Sequence, residues 1–305
     1  MTKRDFLSLR DLSLAEARQV LALASTLKDE AKGSRLQTLA GKAVAVVMEK
    51  ASTRTRVSFE VGVAQLGGHP VVLTTQGSQL GRGEPIADTA RVLSRYCDAI
   101  VFRTFGTDRL LGMAKAASVP VVNALSDDGH PIQILCDMFT IEEALGRSVQ
   151  GLQVAWIGDG SSNMARSFVE AAELFGFHLR VASPEGFLPP AEEMRRAVAI
   201  GCASFGGDAR SAARGADVVN TDVWTSMGQE EENAKRVAAF AGWTVDDAML
   251  AEVADHAIVL HCLPAHRGEE ISDAVIEGAR SRVWDQAENR LHVQKALLMF
   301  LMGAA

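Results

Sequence analysis

The sequence predicts an α/β protein built from two doubly wound parallel-sheet domains. Apolar runs bounded by turn residues alternate with longer segments of helical period, and this alternation starts again about halfway along the chain. The length of 305 residues suits two domains of about 150 residues each. The seam is predicted at Gly146–Gly151, which gives a first domain of residues 1–147 and a second domain that begins at residue 148.

In the first half, four buried strands alternate with four helices. The strands are predicted at Ala43–Met48, Val71–Leu73, Ala99–Phe102 and Val119–Asn123. The helices are predicted at Arg54–Leu66, Ile86–Cys97, Thr107–Ala117 and Ile132–Leu145. The first of these helices places Val57, Val61 and Ala64 on one face, a spacing typical of a helix that packs on a sheet.

The second half repeats the alternation. Its strands are predicted at Leu152–Ile157, Leu179–Ala182, Asp217–Asn220, Ile258–Cys262 and, as a short last strand, Arg282–Trp284. Its helices are predicted at Met164–Phe175, Ala191–Ala203, Gln229–Phe240, Asp273–Ala279 and Ala287–Met302. Ligands of open α/β sheets bind beyond the carboxyl ends of the strands, so the strand-to-helix turns are the places to search for a site.

Composition excludes several classes of partner. The net charge is -7 without an acidic or basic block, so nothing indicates a nucleic-acid or membrane partner. The N-terminus lacks the apolar region of a signal peptide, and Ala296–Ala305 is only about half as long as a membrane span. The cysteines are scattered, without the close pairs of a zinc or thioredoxin motif, and favour a reducing cytoplasm: Cys97, Cys136, Cys202 and Cys262.

The segment Glu49–Arg56 (Glu-Lys-Ala-Ser-Thr-Arg-Thr-Arg) is the most informative turn. It follows a buried strand and opens a helix, and its hydroxyl residues suit N-capping. A helix N-terminus with two arginines and three hydroxyls offers backbone, forked and single donors to a phosphate. The alternative is a capped helix with surface arginines.

Two further residues of the first half are expected at the same rim. Arg103 ends the strand Ala99–Phe102, and His130 opens the helix that follows Val119–Asn123. Taken singly, a histidine here is more often a structural hydrogen-bonding group, and an arginine at a strand end is often only solvated. Their coincidence with the anion turn favours a functional role.

The second half contains three candidate turns. Gly158–Asn163 resembles a dinucleotide turn, but Asn163 replaces the third glycine, which argues against a nicotinamide dehydrogenase and leaves an amide for a carboxylate. Asp222 is suited to hold an ammonium group, or alternatively to cap a helix. His261–Glu270 contains two histidines, a cysteine and two glutamates, but their irregular spacing matches no common zinc pattern, so no metal is expected.

These turns together resemble the aspartate/ornithine carbamoyltransferases. Ser-x-Arg-Thr-Arg (Ser52–Arg56) and His-Pro-x-Gln (His130–Gln133) are similar to motifs of the whole family. Asp-Val-Trp-x-Ser-Met-Gly (Asp222–Gly228) and His-Cys-Leu-Pro (His261–Pro264) resemble the ornithine branch. The resemblance extends over nearly the whole chain, as far as Arg290.

The resemblance implies a carbamoyl-phosphate-binding first domain that the C-terminal helix 287–305 rejoins, and an ornithine-binding second domain of residues 148–286. It implies a homo-oligomer, a trimer or an assembly of trimers, that needs neither cofactor nor metal. The implied reaction transfers the carbamoyl group of carbamoyl phosphate to the side-chain amine of L-ornithine, in arginine biosynthesis. Two alternatives remain open: a carbamoyltransferase for acylated ornithine or putrescine, and a non-catalytic paralogue that binds carbamoyl phosphate.

The resemblance also assigns roles to individual residues. The phosphate would be held by Ser52, Thr53, Arg54, Thr55 and Arg103, together with Gln79 from a neighbouring subunit. The carbamoyl group would be surrounded by Arg103, His130, Gln133 and Arg290, with Thr55 near its oxygen. Ornithine would be held by Asn163, Asp222, Ser226 and Met227. Cys262 and Leu263 would lie between the two substrates, and the catalytic residues would be Arg103, His130, Cys262 and Arg290.

Overall fold

The computed structural model describes residues 3–29, 36–75, 79–225 and 230–304. The chain divides into two compact units, the first formed by Met1–Cys136 with Glu288–Ala305 and the second by Asp137–Ala287. The C-terminal segment therefore belongs to the first unit. The unit boundary lies upstream of the seam predicted at Gly146–Gly151. The ligand assigned to each domain stays a prediction.

The first unit contains, among its described residues, a sheet of four parallel strands. They are β1 (Ala43–Met48), β2 (His69–Thr74), β3 (Ala99–Arg103) and β4 (Val121–Leu125). Their order is β2-β1-β3-β4, so the chain changes its direction across the sheet between β1 and β3. We call the place beyond the carboxyl ends of β1 and β3 the first switch point, because ligands of such sheets bind at this position.

The helices of this half include the four predicted ones in the predicted order, preceded by one helix before β1. They are α1 (Leu14–Asp29), α2 (Thr53–Gln65), α3 (Ile86–Tyr96), α4 (Thr107–Ala116) and α5 (Pro131–Leu145). The predicted packing face of α2 is wrong, since Val57 and Val61 are 49% and 40% exposed. The helix buries instead the stripe that contains Phe59 and Val63. Both stripes are apolar at helical spacing, and the larger Phe59 side chain lies on the buried one.

The second unit contains, within the described ranges, a sheet of five parallel strands. They are β5 (Gln153–Ile157), β6 (His178–Ala182), β7 (Ala203–Phe205), β8 (Val218–Thr221) and β9 (Ile258–His261). The order β7-β6-β5-β8-β9 places the second switch point beyond the carboxyl ends of β5 and β8. Both sheets are parallel and doubly wound, as predicted.

The remaining helices begin after these strands. They are α6 (Asn163–Phe175), α7 (Ala191–Ile200), α8 (Ala209–Ala213), α9 (Asn233–Ala239), α10 (Asp247–Leu250), α11 (Asp273–Ile276) and α12 (Val283–Leu301). The strand predicted at Arg282–Trp284 is wrong, because α12 already begins at Val283. The chain forms only an isolated parallel bridge there, between Ser281 and Val259. The sequence did not predict β7, which is short and half-polar.

Within the described ranges, no helix combines the length and the apolar character that a membrane crossing requires.

Candidate active site

The turn after β1 forms the N-terminus of α2 at the first switch point. Ser52 is the N-cap in extended conformation, and its Oγ accepts a hydrogen bond of 3.3 Å from the backbone N–H of Thr55. The Ser52 hydroxyl also lies 3.1 Å from Thr55 Oγ1. Of the neighbouring residues, Thr53 is exposed, Arg54 is half-buried and Thr55 is buried. This capped turn directs helix N–H groups and two hydroxyls to one place, as an anion site requires.

Arg290 of α12 connects three of the predicted site residues within the first unit. Its Nη2 donates a 2.8 Å hydrogen bond to Thr55 Oγ1, and its Nη1 donates to Gln133 Oε1. Nη1 also lies 3.5 Å from Nε2 of His130. All four side chains are buried. These contacts hold the planar guanidinium in one orientation beside the N-terminus of α2.

The charges around His130 determine its protonation. Burial lowers the pKa of His130 well below its ordinary value, and the positive charges of Arg290, Arg103 and Arg54 lower it further. Arg103 is the last residue of β3 and is itself buried. The imidazole is therefore neutral near pH 7. It can donate or accept a hydrogen bond with a substrate, while the arginines carry the positive charge.

Gln79 occupies a different environment. It is exposed at the start of a 3₁₀-helix, Gln79–Arg82, and its predicted partner would come from another subunit. Its role stays a prediction.

The turn after β5 opens α6 at the second switch point. A Cβ atom at Gly160 would lie 2.6 Å from Ser183 Oγ and 3.0 Å from the carbonyl oxygen of Phe187, so only glycine fits. Ser162 caps α6 through a 3.2 Å hydrogen bond from the N–H of Ala165. Asn163 is the first residue of α6 and is half-buried. Because this close packing fixes the turn, it also fixes the position of Asn163 at the start of α6.

Asp222 and Cys262 are brought together from the ends of β8 and β9. Asp222 Oδ1 accepts hydrogen bonds from the Cys262 thiol at 3.2 Å and from the backbone N–H of Val223 at 2.9 Å. Burial raises the pKa of Asp222, while the nearby His261 and these two hydrogen bonds oppose the increase. The carboxylate is therefore costly to keep charged in the folded chain, and a cationic ligand beside it would offset that cost.

Leu263 takes a left-handed backbone conformation, with φ of 59°. Its N–H donates a 2.9 Å hydrogen bond to Nδ1 of His261. The other ring nitrogen, Nε2, must then carry the proton, and it donates to Glu270 Oε1 at 3.0 Å. Non-glycine residues rarely adopt positive φ. The hydrogen bond to His261 stabilises this conformation of Leu263, next to Cys262.

Two groups of possible metal ligands occur among the described residues. Asp222, His261 and Cys262 form one group, and His266, Glu269 and Glu270 form the other. In the first group both ring nitrogens of His261 already have hydrogen-bonding partners, Leu263 and Glu270. In the second group, Glu270 Oε1 also accepts a 2.7 Å hydrogen bond from the N–H of His266. Hydrogen bonding within the chain therefore occupies the histidine of the first group and one carboxylate oxygen of the second.

Two of the predicted site residues cannot be located, and three residues near the switch points were not predicted. Ser226 and Met227 lie outside the described residues. Sequence reasoning missed Thr104, Arg109 and Arg236, which contact carboxylates in the switch-point turns. Each lies in a segment whose local pattern is that of an ordinary turn or helix surface, so no sequence signal distinguished them.

Comparisons with known proteins extend over the whole chain. The family model of the aspartate/ornithine carbamoyltransferase carbamoyl-P binding domain matches residues 4–143, and that of the Asp/Orn binding domain matches residues 150–301. Ornithine carbamoyltransferases from Sorangium cellulosum and Acidothermus cellulolyticus are 66% and 57% identical, each over 99% of this chain and over 99% and 97% of their own. The solved ornithine carbamoyltransferase structure from Pyrococcus furiosus matches with a TM-score of 0.92 at 45% identity, covering 99% of this chain and 98% of that chain.

Proposed function

The chain belongs to the aspartate/ornithine carbamoyltransferase family, and on this premise we propose that it transfers the carbamoyl group of carbamoyl phosphate to the side-chain amine of L-ornithine. The products are L-citrulline and phosphate. The choice of ornithine is supported by relatives of up to 66% identity that are named ornithine carbamoyltransferase.

The observation that carries the proposal is the buried cluster around Arg290. The guanidinium contacts Thr55 and Gln133 and lies beside His130, next to the capped N-terminus of α2. A dianionic phosphate attached to a small planar group with one carbonyl oxygen and one amide is the ligand that suits these donors. The helix N-terminus and Arg54 suit the phosphate, and Thr55, His130 and Arg103 suit the carbonyl oxygen.

The chemistry requires positioning and electrostatic stabilisation. A neutral amine attacks the carbamoyl carbon, and the carbonyl oxygen gains negative charge. The C–O bond to phosphate then breaks, and the attacking nitrogen gives one proton to the leaving phosphate. Donors aimed at the developing oxyanion stabilise this transition state, and the loss of one such donor typically costs about 10²–10³ in rate. Arg54 and Arg103 also stabilise the charge that grows on the leaving phosphate. Orientation of the two substrates contributes several kcal/mol more.

The second unit provides groups suited to an amino acid. Asp222 is a buried carboxylate whose burial raises its pKa, and the ammonium of an amino acid would restore its charge. The amide of Asn163 suits the α-carboxylate. Cys262 donates to Asp222 and so holds the carboxylate in one orientation. We assign Asp222 and Asn163, with Ser226 and Met227, to ornithine, and we place Cys262 and Leu263 next to both substrates.

The direct test is a substrate panel with carbamoyl phosphate and L-ornithine, N-acetyl-L-ornithine, putrescine or L-aspartate. We expect kcat/KM for L-ornithine to exceed that for each other amine by about 10²-fold or more. N-acetyl-L-ornithine lacks the free α-amino group and putrescine lacks the carboxylate, so each leaves buried polar groups unpaired, whereas L-aspartate lacks the side-chain amine that attacks. Higher kcat/KM for another amine would assign a different acceptor. Carbamoyl phosphate binding without any product would indicate the non-catalytic paralogue.

We also propose that the active form is a homotrimer, or an assembly of trimers, in which Gln79 completes the site of the neighbouring subunit. The exposed position of Gln79 supports this role, and heterologous contacts that close on themselves give cyclic oligomers. Mixing inactive Arg54→Ala subunits with inactive Gln79→Ala subunits should restore activity, because some sites then receive both intact residues. A mixture that stays inactive after proven subunit exchange would contradict the shared site.

The reaction is proposed to serve arginine biosynthesis in the cytoplasm. The scattered cysteines suit a reducing compartment. Expression in a bacterial strain that lacks ornithine carbamoyltransferase should restore growth without arginine, and failure despite soluble expression would contradict this role.

A further inference from the structure

At the first switch point, a carboxylate connects the turns that follow β1 and β3. Glu49 is the first residue after β1, and its carboxylate accepts hydrogen bonds from the Thr104 hydroxyl and from Arg109 of α4, the latter through Nε at 3.0 Å and through Nη2. The Glu49 side chain is 5% exposed. Its N–H also donates a 2.8 Å hydrogen bond to the carbonyl oxygen of Arg103. We call Glu49, Thr104 and Arg109 the Glu49 bridge.

At the second switch point, an arginine connects the turns that follow β5 and β8. Arg236 of α9 donates from Nη1 to Asp159 Oδ2 at 2.6 Å and to the carbonyl oxygen of Trp224 at 3.0 Å. The side chains of Arg236 and Asp159 are 7% and 3% exposed. Trp224 also stacks on Phe240, with ring centroids 5.5 Å apart. We call Asp159, Trp224 and Arg236 the Arg236 bridge.

The two bridges share one construction. In each bridge, the carboxylate belongs to the turn after the first of the two strands that define the switch point. The arginine belongs to a helix that follows the second of these strands. Each turn so connected continues into residues assigned to a substrate. Glu49 precedes the Ser52 turn and contacts Arg103, whereas Asp159 precedes Asn163 and Trp224 follows Asp222.

The opposite ends of the same strand pairs are also tied by ion pairs, but far from the switch points. Asp98, just before β3, accepts from the N–H of Ala43 and from Lys42 Nζ, both within 2.9 Å. In the second unit, Asp217 accepts in the same way from the N–H of Gln153 at 2.7 Å and from Arg147 Nη2 at 2.7 Å. These pairs stabilise the same strands without contacting a substrate turn, so they control for the position of an ion pair along the strands.

We propose that the Glu49 bridge and the Arg236 bridge are positioning elements, each for one substrate: carbamoyl phosphate in the first unit and ornithine in the second. This inference rests on the proposed function. Arg109 neutralises a carboxylate that would otherwise repel a phosphate, and it keeps the Ser52 turn at a constant distance from Arg103. Arg236 neutralises Asp159 and sets the separation of the turns that contain Asn163 and Asp222.

The test compares Arg109→Met with Arg236→Met in steady-state kinetics of the full-length protein. Arg109→Met should raise KM for carbamoyl phosphate by about tenfold or more and change KM for ornithine less than threefold, because displacement of contact groups by about 1 Å is costly. Arg236→Met should have the opposite selectivity. Calorimetric titration with inorganic phosphate should show weakened binding for Arg109→Met and unchanged binding for Arg236→Met.

The controls are Lys42→Met and Arg147→Met, which remove the cation at the amino-terminal ends of the same strand pairs. We expect both to lower the melting temperature slightly and to leave both KM values within twofold of wild type, since exposed pairs contribute little. If a bridge variant behaves like its control, with a lower melting temperature and unchanged KM values, that bridge is structural and the inference is wrong.

Arg236→Met leaves a buried carboxylate unpaired and can prevent folding, so a double variant keeps the test decisive. Asp159→Asn with Arg236→Met removes both charges together, which proteins tolerate better than removal of one. The double variant should recover stability while KM for ornithine stays raised, because the connection between the turns is still missing. Recovery of both stability and KM would overturn the inference.

Failure of the proposed function has a different signature. If the wild-type chain makes no citrulline, the function is wrong, whereas phosphate binding to wild type, Arg109→Met and Lys42→Met still decides the role of the Glu49 bridge. Equal phosphate affinity in all three would contradict it.

Discussion

The two switch points have the same topology and opposite electrostatics. At the first, buried Arg103 and Arg290 with Arg54 surround His130, and burial and these charges lower the pKa of His130 far below its ordinary value. At the second, burial raises the pKa of the Asp222 carboxyl. In both units the environment disfavours the charged form of the titratable residue, but only the first contains a surplus of permanent charge.

This difference indicates how one architecture serves two ligands. Arginines cannot lose their charge at neutral pH, so the first switch point is permanently prepared for an anion. The second contains a carboxyl group whose charged form is disfavoured by burial, and in the proposed function the ornithine cation would stabilise that form. We therefore expect the first site to be insensitive to pH near neutrality and the second to respond to it.

The largest expected effect tests the forked geometry of the buried arginine at the first switch point. Arg290→Lys keeps the positive charge but cannot donate to Thr55 and Gln133 as a planar fork, so kcat should fall by about 10²–10³. The control is Arg91→Lys, which alters an exposed ion pair with Asp88. If only KM for carbamoyl phosphate rises and kcat is unchanged, Arg290 contributes uniform binding and no selective stabilisation of the transition state.

The next effect tests the carboxyl group of the second unit. Asp222→Asn keeps the shape and removes the charge, so kcat/KM for ornithine should fall by about 10-fold to 100-fold, as expected for a lost charge-assisted hydrogen bond. The affinity for inorganic phosphate, measured by calorimetry, should be unchanged. Equal losses for both ligands would mean that Asp222 is structural.

A smaller effect concerns pH. The side-chain amine of ornithine resembles that of lysine, with a reference pKa of about 10.4, so only about one molecule in a thousand is neutral near pH 7. The rate at low ornithine should therefore rise with pH through the neutral range, and the raised pKa of Asp222 should steepen the fall on the acid side. The affinity for the phosphate dianion should vary little from pH 7 to 8.5.

The measurement is initial citrulline formation from pH 6 to 10 at saturating carbamoyl phosphate, corrected for decay of carbamoyl phosphate. A flat profile with rate-limiting chemistry would contradict attack by an amine that arrives neutral. The ornithine cation would then bind first and lose its proton within the complex.

The smallest effect concerns the stability of the first unit. Burial, with a smaller contribution from Lys295, lowers the pKa of His292 in α12 to about 4. The unfolded chain then binds more protons between pH 6.5 and 4, so stability decreases as pH falls through this range. His292→Gln should reduce the difference in unfolding free energy between pH 7 and pH 5 by about 2 kcal/mol.

Urea unfolding of wild type and His292→Gln at both pH values measures this difference. His178→Gln is a suitable comparison, because that histidine is half-exposed in the second unit. An identical pH dependence in wild type and His292→Gln would show that His292 does not contribute to the instability in acid.

Much of the architecture follows from short-range pattern. The strand Ala43–Met48 was predicted with the bounds of β1, and a hydroxyl cap was predicted in the turn where Ser52 caps α2, because an apolar run followed by hydroxyl residues specifies both locally. The buried face of α2 was predicted wrongly, because two apolar stripes fit the same helical period. Arg282–Trp284 was mistaken because a three-residue apolar pattern does not distinguish a strand from the first turn of a helix.

The chain sequence alone was therefore sufficient for the fold class, for the turns that end the strands and, through resemblance, for the candidate site residues. Contacts between distant segments required folding: Arg290 is 235 positions from Thr55, and Arg236 is 77 from Asp159. No local pattern encodes such partners, and burial at those contacts sets the pKa directions of His130 and Asp222. The reason is that desolvation and Coulomb energy depend on distance in space, which the folded backbone alone defines.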